Sequence, residues 1–103
     1  MVGVDRRDGN LAGLVNLFVG DVCDETLWTG VHDYVEATHG HLDALINIAG
    51  RNYYALIADA DLAEWRSMMD INVLGMVAPM KHLVGLLRKA RAPAIVNMSS
   101  ISG

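Results

Sequence analysis

The sequence is poor in cysteine, proline and basic residues. It holds one Cys, two Pro and eight Lys plus Arg among 103 residues. The lone Cys23 excludes an internal disulfide framework and suits a reducing compartment. Twelve Asp and Glu against those eight cations leave a net charge of −4, so there is no basic footprint for nucleic acid. No apolar run reaches the roughly 18 residues a membrane span requires. The opening residues Met1 to Asp8 are too polar for a secretory leader. His32, His39, His41 and His82 stand at no ligand spacing with cysteine or carboxylate, so no metal is expected. What remains is a cytoplasmic protein without a nucleic-acid or membrane partner.

What the chain does have is apolar residues, 52% of the total with a mean hydropathy of +0.27. That suffices for one compact domain or part of a larger one. The stretch Leu42 to Gly50 organises the rest. Ala44, Leu45, Ile46 and Ile48 suit a strand covered on both faces in a parallel sheet. Asn47 is its one strongly polar group and, if buried, needs a partner in neighbouring backbone or a ligand. Ala49 and Gly50 follow with almost no side chain, which lets another group approach the backbone.

Around that stretch the chain alternates. Val2 to Val4 form a short apolar run ending at Asp5, and Leu11, Leu14 and Val15 support a turn or two of helix. Leu17 to Val19 read as a strand ending at Gly20, Asp21 and Val22. Asp24 is an N-cap, Leu27, Trp28, Val31, Tyr34 and Val35 form an apolar stripe, and Gly40 is a stop. Asp61 and Glu64 have capping-box spacing ahead of a helical pattern that runs to about Lys89. Trp65, Met69, Asn72 and Met76 share one face of it, and Pro79 interrupts its hydrogen-bond ladder. Ala94 to Met98 form another buried strand, followed by Ser99 and Ser100. This order of strands and helices predicts an α/β fold with a parallel sheet and right-handed crossovers. Asp5, Asp21, Asn47 to Gly50, and Ser99 with Ser100 then fall at carboxyl ends of strands, the rim where such sheets bind ligands.

At these positions the sequence resembles the short-chain dehydrogenase/reductase family. Asn47-Ile48-Ala49-Gly50 is similar to the family's Asn-Asn-Ala-Gly motif, with Ile in the second place. Asp70-Ile71-Asn72-Val73 resembles the segment with the active-site asparagine. Ile95 to Gly103 resembles the strand that ends in the catalytic serine, and Gly20-Asp21-Val22 the adenine-contacting corner. The resemblance implies that Ser100 hydrogen-bonds the substrate oxygen and that Asn72 holds a water in a proton relay. It implies that Asp21 and Val22 flank the adenine, and that Asn47, Ala49 and Gly50 line the ribose and diphosphate side. Asp5 would accept hydrogen bonds from the adenine ribose. A carboxylate there repels a 2′-phosphate, which favours NAD, while the adjacent Arg6 offsets the repulsion and keeps NADP as the alternative.

The resemblance covers the whole chain but lacks two family features. The first strand with its Gly-rich loop has no counterpart, and the Tyr-x-x-x-Lys segment would lie past Gly103. Gly9 and Gly13 do not replace the loop, because they precede a strand instead of joining a strand to a helix. The expected architecture is therefore an incomplete Rossmann-type, doubly wound sheet holding strands two to five of the family fold. Residues 1–103 form a partial dinucleotide-binding domain, with a gap where the first strand would lie. The implied function is that of a fragment of an oxidoreductase moving hydride between a nicotinamide cofactor and a small alcohol or carbonyl compound. The isolated 103 residues are expected to be inactive and to bind little or no NADH, because the loop that would carry the diphosphate is missing, and the full-length protein to be a homo-oligomer. The unusually short second helix of the family pattern resembles that of family members that oxidise cyclic dihydrodiols. Two other readings stand beside this one: a non-catalytic remnant serving as a weak nucleotide or protein-interaction module, and a nucleotide-binding α/β domain of another class.

Overall fold

The computed structural model describes residues 1–7 and 16–100. The expected short helix around Leu11 to Val15, the Gly9 and Gly13 pair, and Ile101 to Gly103 lie outside the described residues. Among the described residues, four strands and three α-helices follow in order. They are β1 (Val2–Asp5), β2 (Asn16–Val19), α1 (Glu25–Thr38), β3 (Ala44–Asn47), α2 (Leu62–Met69), α3 (Gly75–Leu87) and β4 (Ala94–Asn97). A 3₁₀ turn spans Ile57–Asp59, and a π-helical segment, Asp70–Leu74, joins α2 to α3.

Local chemistry accounts for the helix ends. The Asp24 carboxylate accepts from the Thr26 amide at 2.9 Å and starts α1. Gly40 ends it at φ 77°, where its amide reaches the Val35 and Glu36 carbonyls. Asp61 starts α2 by accepting from the Ala63 amide at 2.9 Å. The return half of the expected capping box is not made. The Asp61 amide instead donates to the Tyr53 hydroxyl at 3.0 Å, and Glu64 turns to Arg51.

The strands form two separate parallel pairs, β1 with β2 and β3 with β4. The gap expected from the sequence is therefore present, and no described strand bridges it. The chain extends over 50 × 27 × 23 Å with a radius of gyration of 15.2 Å. A compact domain of 100 residues has about 13 Å. The core lies between α1 and α3, where Trp28, Val31 and Val35 meet Leu83, Leu86 and Leu87, with Val22 and Leu45 beneath. Phe18 packs edge-on against Tyr34 with ring centres 5.6 Å apart.

Burial of β3 is one-sided, contrary to expectation. Leu45 and Asn47 are buried, but Ile46 and Ile48 are 61% and 65% exposed, and every residue of β4 is exposed. Successive strand side chains alternate between faces, and described helices cover only one. The single face expected through Trp65, Met69, Asn72 and Met76 is interrupted by the π segment. Trp65 and Met69 are exposed, and Asn72 and Met76 are half-buried. The π-helical turn adds a residue and shifts the helical phase by about 100° between the two halves. This irregularity lies one turn before Pro79, which α3 carries fully buried within an otherwise continuous helix.

Gly75 opens α3 against the turn that follows β2. A Cβ there would sit 2.7 Å from Val22 Cγ2, closer than any packed pair of carbons tolerates. Gly75→Ala is expected to destabilise the chain by about 1–3 kcal/mol. Adding Val22→Ala should recover much of that loss in urea denaturation, and an unchanged midpoint for Gly75→Ala would refute the close contact.

Candidate active site

The π-helical segment ties the carboxyl ends of β2 and β3 together. Its hydrogen bond of the π type runs from the Gly75 amide to the Asp70 carbonyl. On one side, the Cys23 thiol donates to that same Asp70 carbonyl at 3.2 Å, just beyond β2. Burial is the main cause raising the Cys23 pKa, and the Asp21 carboxylate adds to it, so the thiol stays protonated and able to donate. The Trp28 indole donates to the Val22 carbonyl at 2.7 Å and fixes the same turn. On the other side, Asn72 Oδ1 accepts from the Arg51 amide and Asn72 Nδ2 donates to the Arg51 carbonyl, both at 2.8 Å. A Cβ on Gly50 would lie 3.3 Å from Asn72 Oδ1, so the loop and the π segment are closely packed.

The sequence-derived residues fall as follows. Asp5 is the last residue of β1 and accepts from the Arg7 amide at 3.3 Å. Asp21 follows β2 and accepts from the Cys23 amide at 2.8 Å. Both carboxylates are exposed, whereas Val22 is buried in the core. Asn47 is buried, and the partner its side-chain amide finds is another side chain. Its Nδ2 donates to Asn97 Oδ1 at 2.8 Å across the β3–β4 pair, and Asn97 in turn faces the Met80 sulfur. Ala49 and Gly50 are exposed past β3. Asn47 and Asn97 are register partners, so Gly50 and Ser100 stand equal distances along the chain beyond them, at the same end of the pair. An open groove of about 270 Å³, lined by Asp21, Cys23, Arg66, Ser67 and Asp70, lies beside this rim.

Three contributors went unread in the sequence. Asn97 carried a signal, since it ends its apolar run just as Asn47 ends the other. Arg51 and Gly75 carried none, because their partners are remote in the chain.

A sequence profile described as short chain dehydrogenase matches residues 7–103. The chain belongs to the short-chain dehydrogenase/reductase family. Cyclopentanol dehydrogenase from a Comamonas strain is 37% identical to this family member over 98 residues, covering 95% of the chain and 38% of that protein. Trans-4-hydroxycyclohexanecarboxylate dehydrogenase from Sinomonas cyclohexanicum is 39% identical over 90 residues, covering 86% and 34%. The ligand-free aldohexose dehydrogenase of Thermoplasma acidophilum superposes with a TM-score of 0.87 at 26% identity, over 96% of the chain and 38% of that structure. This short-chain dehydrogenase/reductase chain thus spans little more than a third of the length of these relatives. Its parallel pairs are part of a Rossmann-type sheet. Among its described residues, no helix is long and apolar enough to cross a membrane.

Away from the rim, Glu25 joins the start of α1 to α3, with Lys81 Nζ at 2.5 Å and His82 Nε2 at 2.9 Å. The Lys81 hydrogen bond, and then that of His82, hold the Glu25 carboxyl below its ordinary value of 4.5. A depressed carboxyl stabilises the fold above its unfolded pKa, and that contribution is lost as pH falls through the folded value. Lys81→Met should therefore melt slightly below the parent at neutral pH. The difference should close as pH falls through the lowered Glu25 value, and a constant offset would refute the linkage.

Proposed function

We propose that this chain supplies part of the catalytic and cofactor-binding rim of an oxidoreductase that moves hydride between a nicotinamide cofactor and a secondary alcohol or ketone. The observation that carries this reading is the π-helical turn. It brings Asn72 to the carboxyl ends of β2 and β3, the end at which Ser100 follows β4. In this reading Ser100 donates to the substrate oxygen and Asn72 holds a water for the proton relay. Ser100 cannot be the main acid, since an alcohol proton is too weakly acidic at neutral pH.

The residues present fit the adenosine side of such a cofactor. Asp5 and Asp21 are exposed carboxylates at the rim, and Ala49 and Gly50 offer backbone without bulk. When bound, the cofactor supplies the hydride acceptor. Asp5 would accept from the ribose hydroxyls and favour NAD over NADP, and Asp21 and Val22 would flank the adenine. Asn47 would act from beneath, since its amide is engaged by Asn97. Two relatives are named for hydroxyl groups on five- and six-membered rings, which supports a cyclic secondary alcohol as substrate. Exposed Val73, Val77 and Val84 along the π segment and α3 support assembly into a homo-oligomer.

The test is to mix the full-length gene product with NAD and a panel of cyclic and linear secondary alcohols and follow NADH absorbance. Turnover with the cyclic alcohols is expected. Nucleotide binding without turnover of any alcohol or ketone would favour the non-catalytic module. The isolated 103 residues should bind little or no NADH by fluorescence titration, and tight binding would refute that expectation.

A further inference from the structure

Both hydrogen bonds from the Asn72 side chain go to the backbone of a single loop residue, Arg51. Residues 48–56 have no regular secondary structure, so no strand or helix ladder holds that backbone in place. The Arg51 side chain does so instead. Its Nη1 donates to Ser67 Oγ at 2.6 Å, and its Nη2 is paired with the Glu64 carboxylate. Ser67 and Glu64 are three residues apart on one face of α2, the helix that runs directly into the π segment bearing Asn72.

The contacts close a ring. From the Arg51 backbone it passes to the Asn72 amide, back along the helix to Ser67 and Glu64, and through the guanidinium to Arg51 again. We propose that Arg51, held by Glu64 and Ser67, is a positioning residue that sets the Asn72 amide against the end of β3. This extends the role assigned to Asn72 above and rests on it.

The chemistry explains why arginine occupies the position. A planar fork reaches two acceptors at once, whereas an ammonium is a single point of charge on a flexible stem. The ring also leaves Asn72 partly free. An asparagine amide has two N–H donors and an oxygen with two lone pairs. Arg51 takes one donor and one lone pair, and what remains is aimed by the same contact. With the guanidinium removed, the loop backbone moves and the remaining Asn72 groups move with it.

The test uses the full-length gene product with Arg51→Met, Arg51→Lys, Asn72→Ala and the Arg51→Met/Asn72→Ala double variant. Arg51→Met should lower kcat about tenfold and leave KM for the nicotinamide cofactor within about twofold, as expected of misplaced groups at the reacting centre. Arg51→Lys should recover only part of the loss. In the Asn72→Ala background, Arg51→Met should cost almost nothing further, since the two act through one contact. A parental kcat for Arg51→Met, or an equal loss with and without Asn72, overturns the proposal. Should Arg51→Met fail to fold, Glu64→Gln/Ser67→Ala carries the same expectations with Arg51 retained. A second readout needs no turnover: exchange of the Asn72 side-chain amide hydrogens by NMR. Faster exchange in the variants supports the brace, and unchanged exchange overturns it. If the parent oxidises no alcohol, the functional reading fails while this measurement still decides the brace.

Discussion

Ser100→Ala in the full-length gene product is expected to reduce kcat by about 10²- to 10³-fold, the loss typical when one donor to a developing oxyanion is removed. The expectation follows from placement. Asn47 and Asn97 are register partners at the ends of β3 and β4, and Ser100 stands as far past one as Gly50 past the other. That is the end of the pair at which Asn72 meets the loop after β3. In the proposed chemistry a hydroxyl there gains importance as charge builds on the substrate oxygen, so its removal should fall on kcat and leave cofactor KM nearly unchanged. Ser100→Thr, which keeps the hydroxyl, should retain more activity than Ser100→Ala. Steady-state assays by NADH absorbance, with thermal melts alongside, would check this. A kcat within about threefold of the parent would remove Ser100 from the proposed chemistry.

The second large effect concerns stability. Leu86→Ala is expected to cost about 2–5 kcal/mol, the range for truncating a buried leucine. Leu86 is 1% exposed, at the centre of the α1–α3 core. Its carbonyl also receives the Leu42 amide at 3.1 Å, so the helix turn it anchors helps to fix the entry to β3. A typical domain has only about 5–15 kcal/mol in total, and this open unit has few other buried side chains to compensate. Val84→Ala, on the same helix but 38% exposed, is the control and should cost about 1 kcal/mol or less. Equal shifts in urea midpoint for the two variants would refute this account of the core.

The sequence was most legible where the physics is local. Asp24, Gly40 and Asp61 act within a few residues of themselves, and each helix end occurs where those side chains predict. It misled where a pattern had two readings. Glu64 stands at a capping-box position, yet an arginine carboxylate pair with Arg51 outcompetes the return hydrogen bond to the Asp61 amide. The apolar run of β3 suggested cover on both faces, but periodicity cannot say how many layers are present, and Ile46 and Ile48 are exposed. The face drawn through Trp65, Met69, Asn72 and Met76 assumed an uninterrupted 3.6-residue period, which the turn at Asp70–Leu74 breaks.

By itself the sequence determined the order of the described strands and the helices after β2, the family and the gap between the strand pairs. Each follows from the period of apolar residues, from caps that need only near neighbours, or from motifs in a fixed order. The tertiary structure alone decided that Asn47 pairs with Asn97, that Gly75 must make room for Val22, and that Arg51 is clasped by α2 while its backbone holds Asn72. These contacts join residues 13 to 53 positions apart. Chain entropy opposes every such closure, and the packed α1–α3 core, which acts on the chain as a whole, helps to outweigh it.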